Sequence, residues 1–573
     1  MRKSSLILAL LLCFSLFSCT APQDVVRHQY AVDLSADPED TSLIDFAFSA
    51  RDTNATYDAG TATTITLDNE NTVINGAGAS LADGNLLINK EGTYILSGKY
   101  TVGMLRVECT DTEKVQIVLN GVEIYSPNSP AVYVKQADKV FFTLAKGTEN
   151  KLTDGDKYTI IDGNSEIDAA LFSRADMTVN GEGKLLIYGN NKHGIISKDD
   201  LVITGGDIQI RSKKVALNGK DCVKIGGGNI VLDAGSDGIR SDNNDSPDKG
   251  YIYINGGTLK IDAERDGIQS ENVLRIDDGD ISLNCGGGSE NTVESNKEVD
   301  KQPEVIDPNK AADEDKPESY KGIKSEKDMI INGGRIIADT ADISLYAEGC
   351  LVISGGAIKL SSGGDAAVAE KSFSQSGGAL YVTKALNAIR STAAHISGGE
   401  TSLICSEIGI TLTGAFQISG GYLIAKTANG AVNAGSTLLV SGGAVLADVP
   451  ADGRSLPFTA SASAICGGYV AALSNGSASA FDSTSTQLSV SKTIGAQSEK
   501  TAIALCDEKG KVVVSFTASG AFDSVLLSSP SIKAGKTYSI MVGGTAEAAD
   551  ANGYTYGGAL NGGTSVGDIE FAK

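Results

Sequence analysis

The chain has 573 residues, a formal net charge of −23 and a pI near 4.6. That balance excludes nucleic acid as a partner, which needs a basic footprint, and favours cations or plain solubility. With 41% hydrophobic residues, 67 glycines and no Trp, the length supports one large folded body rich in tight turns.

The N-terminus reads MRKSSLILALLLCFSLFSCTAPQ. Arg2 and Lys3 form a basic region, Leu6 to Phe17 an apolar one, and Ser18-Cys19 a small-residue cleavage site, so residues 1–18 are expected to be a signal peptide. The apolar run is too short to span a bilayer. LFSC at 16–19 resembles a bacterial lipobox, which makes Cys19 the expected lipidated residue and 19–62 a lipidated tether and entry segment. The protein is then exported and held at a bacterial membrane or cell surface by its N-terminal lipid alone, and a monomer is expected.

From residue 63 the chain reads as short strands. GTYILSGKY, VQIVLNGVEI and KVFFTLAKGTENKLTDG are irregular early rungs. A period then sets in: an apolar residue, a small or polar one, then Gly-Gly, as in ITGG at 203, IGGG at 225, INGG at 254 and 331, ISGG at 353, 396 and 418, and VSGG at 440. Most steps are 22 residues. Apolar residues precede each anchor by two and follow it by five, seven and fourteen, as with Leu259, Ile261 and Ile268. Each cluster alternates with period two, so each is a strand. Three short strands per rung of about 22 residues make an all-β, right-handed parallel β-helix over 63–460.

Residues 286–319 are charged, polar and Pro-containing, and read as a mobile acidic insertion. Beyond 460 the repeat fades, and 461–573 is expected to be a small β module that closes the solenoid end. Cys222 and Cys350 share one phase, Cys285 and Cys405 another, each pair four rungs apart. That is roughly 19 Å at about 4.8 Å per rung, too far for a disulfide.

The chemistry lies in AGSDGIRSDN at 234–243 and AERDGIQSEN at 263–272, with near-copies at 191–200 and 320–327. Their Ile and Ser point inward, so the residues between and after them point out. Asp242, Glu271, Glu326, Glu348 and Glu370 then stack along one face. Stacked like charges repel and call for solvent, neighbouring Lys and Arg, or a cation. Ca²⁺ accepts six to eight oxygens with flexible geometry. The best ligand cluster is Asp237, Asp242, Asn243, Asp266 and Glu271. Lys198, Lys220, Arg240 and Lys324 are interleaved on the same face and could meet an anionic sugar chain. A solvated acidic face laced with salt bridges explains the same pattern.

Together EGTYILSGKY, VQIVLNGVEI, ADKVFFTLAKGTENKLTDG, KHGIISKDDLVITGG and GSDGIRSDN resemble the bacterial carbohydrate-binding domain-containing proteins with a pectate-lyase-like parallel β-helix. The resemblance covers roughly 65–460. It implies calcium-dependent, non-catalytic recognition of acidic plant-type polysaccharide such as polygalacturonate or pectin. Two rivals stand beside it: a pectate-lyase-type polysaccharide lyase, with Arg240 or Lys324 as base, and a structural or adhesin surface lipoprotein. Fold alone does not separate these.

Overall fold

The computed structural model describes residues 38, 41–164, 166–291, 319–449 and 455–572. The expected signal peptide, Cys19 and residues 292–318 of the expected insertion lie outside the described residues. No helix of the described residues is long and apolar enough to cross a membrane.

The repeating element is a coil of three parallel strands. Asp207–Ser212, Leu217–Gly219 and Cys222–Ile225 pair in register with Asn229–Ala234, Ile239–Ser241 and the first part of Tyr251–Ala263. Corresponding side chains stack from coil to coil. Ile208, Ile230, Leu259, Ile281, Ile336, Ile358 and Leu380 form one such ladder, every member buried. About 15 turns repeat this plan as a parallel β-helix whose apolar ladders fill the bore.

The Gly-Gly pairs have a specific cause. Gly356 adopts φ +84°, a left-handed conformation that L side chains rarely tolerate. A Cβ on its neighbour Gly355 would lie 2.1 Å from the Asn332 carbonyl oxygen of the coil below. Each pair thus turns the chain tightly on top of the preceding turn. Inward serines close the next corner: the Ser325 hydroxyl donates to the carbonyls of Asn272 and Asp328.

Both ends of the solenoid are covered. At the start, Thr63–Leu67 pairs antiparallel with Val73–Asn75 and parallel with Gly92–Tyr100. At the far end Ala462–Ser474 still pairs in parallel with Thr437–Val449, so the coils continue past residue 460. Antiparallel Phe522–Ser528 then occupies its edge. A four-stranded antiparallel sheet (Ala502–Asp507, Val512–Thr517, Thr537–Val542, Thr564–Glu570) packs beyond. An antiparallel module thus follows the last coil, after residue 474.

Residues 44–53 run as a strap along the outside. Ile44, Phe46 and Phe48 pack on Cys222, Tyr251, Tyr253 and Val273. One helical turn, Ala50–Thr53, carries Asp52 into a buried bridge with Lys139 at 2.9 Å and a hydrogen bond from Thr178. The seven described cysteines are all buried and form no disulfide with one another, which for Cys222, Cys350, Cys285 and Cys405 agrees with their register.

Candidate functional site

One outward ladder runs the length of the solenoid. In coil order it includes Arg106, Tyr133, Phe172, Ile196, Asn218, Arg240, Gln269, Lys324, Tyr346 and Arg390. Two residues further along each coil lies a second outward position. It holds Glu108 first, then Lys135, Arg174, Lys198 and Lys220, then Asp242, Glu271, Glu326, Glu348 and Glu370, and last Thr392. Between Glu108 and Thr392 the strip is divided by sign: four bases, then five carboxylates. Within the acidic half, a hydrogen bond shared with Glu326 raises Glu348 above the usual carboxylate range, as stacked like charges require.

The basic half opens into a groove of about 510 Å³ lined by Asn164, Glu166, Phe172, Arg174, Lys198, Lys220 and Asp242. Its wall is the segment after Asp154. Tyr158, Ile161 and Ile167 of that segment cover Tyr133, Phe172 and Ile196, and Tyr158 is hydrogen-bonded to Asp154 and to the Ala169 carbonyl. Arg174 and Lys198 are exposed. Among the described residues neither has a carboxylate within 4.0 Å. Lys198 Nζ lies 5.8 Å from the centre of the Phe172 ring, while Lys220 approaches Asp245 only to 3.9 Å.

Of the four bases singled out in the sequence, Lys198 and Lys220 share this groove. Arg240 and Lys324 do not. Arg240 is held between Asp237 at 3.9 Å and Asp242 at 3.5 Å, and Lys324 contacts Glu326 at 2.6 Å. Arg174 and Lys135 were missed because their coils are longer. Arg174 precedes Lys198 by 24 residues and Lys135 precedes Arg174 by 39, which breaks the 22-residue count although not the stacking.

The five expected metal ligands divide among three places. Asp237 and Asp266 are buried in the turn before the ladder. Each accepts a backbone N–H from the next coil, from Asp266 and Lys321 respectively. Burial and the neighbouring Asp266 push Asp237 up to about 6, and Asp266 Oδ2 has no hydrogen-bond partner among the described residues. Asp242 lies across Arg240 from this pair. Asn243 and Glu271 line a separate groove of about 260 Å³ over the loop 243–247. The Arg240 guanidinium thus stands between Asp237 and Asp242.

A tighter carboxylate group lies one corner away. Oxygens of Asp176, Asp199 and Asp200 all fall within 4.8 Å of one another. Burial, then Asp176, Asp221 and Asp200, push Asp199 up to about 7. Burial, then Asp200, raise Asp176 as well. Burial alone would raise Asp221 too, but hydrogen bonds from Lys249, Asn243 and Asp199 hold it low. Hard oxygen donors crowded in this way suit a divalent cation, with turn carbonyls and water completing its shell.

Residues 82–366 match the family described as "Carbohydrate-binding domain-containing protein". A protein of that description from Acetivibrio thermocellus is 37% identical over 136 residues, 24% of this chain and 48% of that one. The chain thus spans about half the length of the curated relative it matches. Among solved structures, a polysaccharide lyase-like protein from C. thermocellum is 36% identical. That match covers 39% of this chain and 92% of the other, with a TM-score of 0.39.

Proposed function

From the match of residues 82–366 to the carbohydrate-binding domain-containing family, we propose that the protein is an exported, lipid-anchored, non-catalytic carbohydrate-binding protein for acidic polysaccharide of the polygalacturonate type. The observation that carries this reading is the groove of Arg174, Lys198 and Lys220. It is a concentration of exposed positive charge on a chain of net charge −23. A uronate carboxylate would meet charge-assisted hydrogen bonds there, with Arg174 able to grip it by two parallel N–H groups. Rigid strands hold the three bases one coil apart, so little ordering is required on binding.

Calcium belongs to this reading as a stabiliser and as a bridge to sugar carboxylates. Asp176, Asp199 and Asp200 are the residues that would hold it, because their oxygens already converge. The lyase alternative is less well supported. Arg240 and Lys324, its candidate bases, are turned to carboxylates of the chain itself.

Retention on immobilised polygalacturonate, with and without calcium, tests the proposal. Wild type should be retained, and Arg174→Ala with Lys198→Ala and Lys220→Ala should lower affinity by about a thousandfold or more, each charged hydrogen bond contributing about 1.5–3 kcal/mol. Unsaturated products absorbing in the ultraviolet would instead establish a lyase. Retention unchanged in the triple variant would remove the groove from the account.

A further inference from the structure

A second surface lies outside the family-matched segment, where the last coils meet the closing module. Tyr422 and Tyr469 stand on the same outward ladder, with the small Ala444 between them. The loop Asp550-Ala551-Asn552-Gly553-Tyr554-Thr555-Tyr556 of the module brings two more rings to the same place. Tyr469 and Tyr556 stack with centroids 4.5 Å apart. Tyr554 lies 5.7 Å from Tyr422, 6.3 Å from Tyr469 and 6.1 Å from Tyr556. Four of the 18 tyrosines of a Trp-free chain are thus gathered at one spot.

The loop is built to hold them still. Asp550 Oδ1 accepts the backbone N–H groups of Asn552 and Tyr554, and its Oδ2 accepts the Tyr422 hydroxyl at 2.9 Å. Lys426 Nζ donates to Asn552 Oδ1, and Asn552 Nδ2 donates to the Tyr422 hydroxyl. Thr555 N donates to the Ser515 hydroxyl of the module sheet. Tyr422, Tyr469 and Tyr554 also seal the join between solenoid and module. Tyr556 does not share that duty: it is 59% exposed, with its ring laid on Tyr469. With the half-buried rings of Tyr422, Tyr469 and Tyr554 around it, Tyr556 belongs to an aromatic patch and is not a lone exposed side chain, and a patch of that kind suits a contact face.

We propose that this tyrosine platform is a second carbohydrate-binding surface, selective for uncharged pyranose units. The axial C–H face of a pyranose is apolar and stacks on an aromatic face, while its hydroxyls take hydrogen bonds at the rim. Glu400 (opposite Tyr422 on the ladder) and Asp550 place carboxylates beside the rings. These accept sugar hydroxyls and repel a polyuronate. The platform therefore complements the basic groove, and one chain can hold the charged and the neutral parts of a mixed glycan.

Native affinity electrophoresis of the whole protein tests this, with xyloglucan, galactomannan and mixed-linkage β-glucan as uncharged probes and polygalacturonate as the charged one. At least one uncharged probe should retard the wild type. Tyr556→Ala should weaken that retardation by about tenfold, the loss of one aromatic contact, whereas Tyr556→Phe should keep it. Lys198→Ala with Lys220→Ala should keep it too while losing polygalacturonate, so the two surfaces succeed or fail separately. The proposal is overturned if no uncharged probe retards the protein. It is equally overturned if Tyr556→Ala, shown by its melting curve to be folded, behaves as wild type.

Discussion

Asp52 illustrates how one side chain can be tied to a distant part of the fold. Burial alone would raise its carboxyl, but hydrogen bonds from Thr178, Lys139 and Ser49, with the charge of Lys139, bring it down to about 2. A folded value below the ordinary 3.8 means that the charged form stabilises the docked strap. That contribution is complete above about pH 4 and is lost as pH falls towards 2. Its size is about 2 kcal/mol. Hydrogen exchange of residues 44–53 should therefore quicken as pH falls through that window, after correction for intrinsic rates. Asp52→Asn should be loose already at pH 7 and should change little below pH 3. An equal pH response in the variant would contradict this account. No repeat announces the strap in the sequence; only the alternation Ile44-Asp45-Phe46-Ala47-Phe48 marks it.

The calcium proposal also belongs to single residues. An ion bound only by the folded state stabilises it by mass action, about 2.7 kcal/mol at a hundredfold excess over the dissociation constant. Chelator should lower the melting temperature of the wild type, and calcium should restore it. Asp176→Asn with Asp199→Asn should abolish that response, while Asp242→Asn with Glu271→Gln should retain it. The reverse pattern would return the ion to the acidic ladder read from the sequence. Strand alternation made that ladder legible, because it tells which side chains face out. It could not tell that Arg240 lies between Asp237 and Asp242, nor that Asp176 and Asp199, from successive coils, meet at a corner. Both facts depend on side-chain direction within turns, where period-two logic stops.

Among elements, the Gly-Gly turn was the most legible, because its steric requirement recurs in most coils from residue 203 onward. Gly355→Ala places a methyl 2.1 Å from a backbone oxygen that the stack prevents from moving away. The expected cost is about 1–3 kcal/mol, read as a fall in the urea midpoint. A variant as stable as wild type would show that the turns can slide past one another. The same motif also explains the misplaced boundary at 460. Ile465-Cys466-Gly467-Gly468 is one more copy, 25 residues after VSGG rather than 22, and Gly468 has the expected φ of +82°. A count of residues missed it, whereas the chemistry of the turn would have found it.

At the scale of the whole molecule, a solenoid has two open edges and a long side. The edges are closed here by an N-terminal hairpin and a C-terminal sheet, which leaves the outward ladders as working surface. A charge of −23 opposes close approach of the body to an anionic membrane within the Debye length of about 8 Å, beyond which salt screens it. Direct adhesion of the body to a lipid surface is therefore unfavourable, and a covalent lipid on Cys19 is the anchor proposed for this chain. A single acyl chain holds a protein only marginally, whereas a multiply acylated cysteine holds it firmly. Cys19→Ala should accordingly move the protein from the membrane fraction to the soluble fraction of its host cell, with its melting temperature and polygalacturonate retention unchanged. High salt should not release the wild type, since the attachment is apolar, but detergent should. A Cys19→Ala protein that still sediments with membranes after a salt wash would mean that the body itself binds the surface, against the repulsion its charge imposes.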